Sequence, residues 1–94
     1  MTTEPRNVQE ILADQFQLTA ELSSLTGEYH RLLQKVAGSG FARQLAEQSN
    51  DDAALAEADR MEVAARFAAD SCELRINDLE LRLAALGREL AALR

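Results

Sequence analysis

The chain has no tryptophan, and its 94 residues include one cysteine, one proline, one histidine, one lysine and four aromatics. A lone Cys72 cannot close an internal disulfide, and the opening MTTEPRNVQE has no apolar signal region, so a reducing cytoplasm is the expected compartment. A lone His30 cannot supply the repeated Glu-x-x-His ligands of carboxylate-bridged metal bundles, and Glu28 precedes it by two residues where three are needed. No Walker loop, G-x-G-x-x-G turn or H-E-x-x-H helix occurs, and Asn50-Asp51-Asp52 lacks the later ligands of a calcium loop. No catalytic residue, metal or cofactor is therefore expected. Valine, isoleucine and threonine total nine residues, too few strand formers for a sheet. No apolar run approaches the roughly 20 residues that cross a bilayer.

What is abundant favours helix: alanine (17) and leucine (15) make up a third of the chain. With 47% apolar and 28% charged residues the composition is not that of a disordered chain. Nine arginines against one lysine, beside so much alanine, suggest a bacterial source of high G+C content. The net charge of −6 opposes direct nucleic-acid binding, because an acidic surface repels phosphates. That acidity is local. Residues 47–62 carry Glu47, Asp51, Asp52, Glu57, Asp59 and Glu62 against Arg60, a net of −5.

Thr3 followed by Pro5 reads as a helix start, and Val8, Ile11, Gln15, Leu18, Leu22, Leu25, Tyr29, Leu32 and Val36 then step alternately by 3 and 4. Such a seam must face another helix, while Leu12, Phe16 and Leu33 widen it toward a second neighbour. The reading is a helix over 5–36, a break at Ala37-Gly38-Ser39-Gly40, a short helix over 41–48, an acidic turn at 49–52 and a long helix over 53–93. In that last helix Cys72, Ile76, Leu79, Leu83, Leu86, Leu90 and Leu93 form a leucine-rich seam. Ala54, Ala58, Met61, Ala65 and Ala68 continue it toward the turn in small residues, joined through a stutter of two consecutive fours. Leu74 and Leu81, seven apart, hint at a second contact surface. Glu62 with Arg66 and Asp78 with Arg82 are spaced as i,i+4 ion pairs.

These patterns predict an all-α fold: one domain over 1–94, a long antiparallel helical hairpin or coiled coil, completed into a four-helix bundle by self-association or a protein partner. Its seam residues are Leu18, Leu22, Leu25, Leu32, Ile76, Leu79, Leu83, Leu86 and Leu90. The expected function is a non-catalytic protein–protein interaction module, an adaptor, chaperone-like or assembly subunit, with no membrane, nucleic acid or small-molecule substrate. The acidic residues Asp51, Asp52, Glu57, Asp59 and Glu62 are its candidate contact patch.

The stretch Ser49-Asn50-Asp51-Asp52, then Ala56-Glu57-Ala58-Asp59-Arg60, running into Arg75-Ile76-Asn77-Asp78-Leu79-Glu80-Leu81-Arg82-Leu83, resembles the second hairpin helix of Gre-type transcript-cleavage factors and DksA/TraR-type regulators. The resemblance covers some 35 residues. It implies a coiled-coil hairpin that enters the secondary channel of RNA polymerase, with Asp51, Asp52 and Asp59 as tip acids near the catalytic magnesium. The chain departs from both families. One extra residue separates Ile76 from Leu79-Glu80, Ala56 stands where the first tip aspartate of DksA would align, and neither the four-cysteine zinc module nor a Gre-type C-terminal domain is present. The chain also resembles helical chorismate mutases in size and helicity. Their N-terminal Leu-Arg pattern is not met, and a dicarboxylate-binding cluster would have to come from Arg31, Lys35 and Arg43.

Overall fold

The computed structural model describes residues 6–93, which form two α-helices of 41 residues each, α1 (Val8–Gln48) and α2 (Asp52–Ala92). They pack against each other along their length as an antiparallel hairpin, 69 × 23 × 14 Å overall. No strand occurs among the described residues. The predicted start at Thr3 and Pro5 lies outside them. The cap seen is Asn7, whose side-chain oxygen accepts the Glu10 N–H at 2.8 Å while Glu10 reaches back to Asn7, an arrangement like a capping box.

The reversal takes three residues. Asn50 stands at φ 53, the one positive-φ residue other than glycine among those described, and it follows the last α-helical turn. The Asn50 N–H bonds Glu47 O and the Asp51 N–H bonds Ala46 O, the two reciprocal bonds of a Schellman ending. Asp51 then caps α2 by accepting the Ala54 N–H at 3.0 Å. Ser49-Asn50-Asp51 thus satisfies both helix ends with its own backbone and side chains.

The expected break at 37–40 is not there. α1 runs straight through Gly38 and Gly40, neither of which has positive φ. The physical reason is the seam, which continues in step through Val36, Ser39, Arg43 and Ala46, all buried or half-buried. A mid-helix glycine costs about 1 kcal/mol relative to alanine, and burial against α2 offsets that. Ser39 is buried, and its hydroxyl donates to Lys35 O at 2.9 Å, so no polar group is orphaned. A Cβ on Gly38 would meet nothing within 4 Å. Gly38→Ala is therefore expected to raise stability by about 0.5–1 kcal/mol, read as a higher urea midpoint. A loss of stability would show that this glycine has a conformational role.

The turn-proximal register of α2 also differs from the expectation. The inward line is Leu55, Ala58, Glu62, Ala65, Ala69 and Cys72, each buried or half-buried, whereas Ala54 and Met61 are exposed and Ala68 is half-buried beside it. It joins Ile76, Leu79, Leu83, Leu86 and Leu90 with regular steps of 3 and 4, so the stutter disappears. A carboxylate occupies a core position instead. The seam residues Leu18, Leu22, Leu25, Leu32, Ile76, Leu83 and Leu90 are half-buried, and Leu79 and Leu86 are buried. Toward the turn the buried set is small, Ser39, Ala46, Ala58, Ala65 and Ala69, whereas Ile11, Leu79 and Leu86 fill the half toward the chain ends.

Candidate functional site

Because Glu62 lies on the seam, it needs a cation there, and α1 supplies one from its own seam position. Arg43 donates through Nη2 to Glu62 Oε2, and the same nitrogen forms an ion pair with Asp59 Oδ1 at 2.6 Å. Arg66, one turn on, donates to Glu62 Oε1 at 3.0 Å. The Glu62 side chain is 14% exposed and that of Arg43 37% exposed, so this is a half-sunken ion cluster crossing the two helices. The Arg43 Nε is buried without an acceptor among the described residues. Farther along, Arg75 of α2 donates to Glu21 of α1 at 2.8 Å. That hydrogen bond first, and the Glu21 charge second, hold the Arg75 guanidinium above its ordinary pKa. These cross-helix pairs tie the antiparallel register on the two halves of the hairpin.

The acidic residues singled out in the sequence are therefore distributed among different tasks. Asp51 caps α2, and Asp52 is exposed in its first turn, where a negative charge suits the positive end of the helix dipole. Glu57 pairs with Arg60 three residues on, while Asp59 and Glu62 turn to Arg43. Sequence reading missed Arg43 as the partner of the last two, although a lone arginine at the step after Val36 and Ser39 was the available signal. The predicted pairs Glu62 with Arg66 and Asp78 with Arg82 are present, the latter at 3.1 Å. Arg31 is exposed and faces Glu28 at 3.8 Å, so it does not join Arg43 in a cationic cluster.

The outer side of α2 carries a row of exposed apolar side chains. Val63, Phe67, Leu74 and Leu81 are 68%, 74%, 72% and 71% exposed. The last three recur every seven residues, so they stand in one line on the helix face opposite the seam. On α1, Leu12, Phe16 and Leu33 are also exposed, so they do not extend the intramolecular seam. A shallow groove of about 500 Å³ crosses both helices near the turn, between Leu32, Gly38 and Ala42 of α1 and Met61, Ala64 and Ala68 of α2.

Imidazole and thiol chemistry is sparse, with one histidine and one cysteine in the chain. His30 is exposed, its ring centroid 6.2 Å from that of Tyr29, and Cys72 is half-buried on the seam as a free thiol. No group of three His, Cys, Asp or Glu residues able to hold a metal ion occurs among the described residues, and no helix there is long and apolar enough to cross a membrane. No protein-family model matches the chain, and no curated protein or solved structure shows a significant match to it.

Proposed function

We propose that this hairpin is a non-catalytic protein–protein interaction module of the cytoplasm, an adaptor, chaperone-like or assembly subunit that offers an amphipathic helix face to another protein surface. The observation that carries the reading is the line of Val63, Phe67, Leu74 and Leu81 on the outer side of α2. Large apolar side chains aligned on one exposed helix face mark a contact surface, since scattered ones need no explanation but a row repeating every seven residues does. The test is affinity capture of the full chain from the cells that make it, against a Phe67→Ser/Leu74→Ser/Leu81→Ser variant checked for unchanged helicity. The variant is expected to lose what the wild type retains. Equal capture by both, or a small-molecule turnover activity lost on Arg31→Ala, would overturn the reading.

A second reading rests on the closed end of the hairpin, where Glu47, Asp51 and Asp52 lie together in sequence around the reversal, all exposed and with no salt bridge among the described residues. Here the tip acids engage a basic or metal-bearing surface, as the resemblance to polymerase-channel hairpins implies, and act on transcription. Asp51→Asn/Asp52→Asn preserves capping, because asparagine caps about as well as aspartate. If the tip is the contact, this variant stays folded, binds more weakly and shows a flatter salt dependence.

A further inference from the structure

We infer that the outer line of α2 is a seam for a second copy of this chain, docked antiparallel about a twofold axis near Glu73 and Leu74. The inference rests on the interaction-module reading and commits it to one partner. Area points to such a partner: the hairpin exposes 7115 Å², whereas a compact monomer of its 10.3 kDa mass exposes roughly 5,400 Å². The excess is about twice the ~800 Å² that each partner contributes to a standard interface.

The pattern suits a helix partner. Val63, Phe67, Leu74 and Leu81 span 19 residues, about 27 Å of helix, and Asp70, Asn77 and Ala84 hold the remaining positions of the rhythm. An antiparallel copy whose axis passes between Glu73 and Leu74 brings Phe67 near the partner's Leu81 and Leu74 near the partner's Leu74, each within one residue of level, and sets Asp70 beside the partner's Asn77. A twofold contact then uses one patch twice, as symmetric dimers do.

Charge selects the direction. Antiparallel docking brings Arg66 opposite the partner's Glu80 on both sides of the axis, and Glu80 has no salt bridge within the described residues. Parallel docking would instead align Asp70 with its own copy and bring Glu73 toward the partner's Asp78, with no attraction in return. The one like-charge meeting left by the antiparallel arrangement is Glu73 with the partner's Glu73 at the axis.

Sedimentation equilibrium of the full chain between 1 and 100 µM, with circular dichroism beside it, tests the inference. The wild type is expected to form a reversible dimer. Leu74→Glu should remain helical and become monomeric, and Glu80→Arg should weaken the dimer about tenfold by setting two arginines face to face. Arg66→Glu/Glu80→Arg should restore it, and Glu73→Gln should tighten it. Leu74 and Glu80 are exposed, so loss of the dimer with retained helicity is separable from unfolding. A wild type that stays monomeric at 100 µM overturns the inference, as does a dimer indifferent to Leu74→Glu. A monomer that still captures a different protein through this line overturns self-pairing alone, and a monomer that captures nothing overturns the module reading as well.

Discussion

Arg43→Leu alone is expected to lower the stability of the hairpin by about 2 kcal/mol, whereas Arg43→Leu/Glu62→Leu is expected to raise it by about 1–2 kcal/mol. The opposite signs follow from where the two groups sit. The Glu62 side chain is 14% exposed, so removing Arg43 leaves a largely sunken carboxylate with only the more exposed Arg66 to oppose it. Loss of one partner of a fully buried pair costs about 3–5 kcal/mol, and the 37% exposure of Arg43 reduces that figure through solvent screening. Replacing both removes two desolvation costs and the orphaned Arg43 Nε together, and puts leucines on a seam whose other half is already leucine-rich. Asp59 loses its partner in either variant, but its side chain is 54% exposed and rehydrates. Urea unfolding at pH 7 and one fixed chain concentration reads both numbers. A double variant as unstable as the single one would show that the cluster is a net source of stability.

Leu79→Ala is expected to cost about 3 kcal/mol, a large share of the roughly 5–14 kcal/mol available to a chain of this length. Leu79 is 2% exposed, among the least exposed side chains in the seam. A leucine deleted there loses its transfer free energy and leaves a cavity that two rigid helices cannot collapse to fill. Leu83→Asp/Leu90→Asp, which places two charges on the same seam, is expected to unfold the hairpin outright. Thermal and urea melts followed by circular dichroism check both variants. A shift below about 1 kcal/mol for Leu79→Ala would mean that the seam near the chain ends is wet or mobile.

The leucine seam and the hairpin were legible because Leu18 to Leu32 and Ile76 to Leu90 repeat every seven residues with no competing assignment. The reversal was legible too, since Ser49-Asn50-Asp51 combines a residue tolerant of positive φ with a cap. Two places misled. Gly38-Ser39-Gly40 carries a strong local breaking signal, but local propensity is worth about 1 kcal/mol per glycine and lost to a seam visible only once both helices are laid together. In α2, counting apolar residues preferred Met61 over Glu62, because hydropathy cannot represent a carboxylate that enters a core with its own arginine. The outer line was half seen: Leu74 and Leu81 stood out, but Phe67, seven residues earlier, did not. The structure shows that all three share the exposed face.

The three-residue reversal at Asn50 also orders the hairpin in time. Contacts beside it close loops of under about ten residues, while those joining Ile11 to the far end of α2 close about eighty, a difference of about 2 kcal/mol in closure entropy. The layers that are easiest to bring together are lined with alanine and serine and stabilise little, while the layers farthest apart along the chain hold the isoleucine and leucine. Zippering from the turn therefore gathers little free energy at first and most of it at the last steps. The layers of Ile11, Leu79 and Leu86, farthest from the turn, where a helical hairpin would be expected to fray first, are here the clasp that holds the molecule shut.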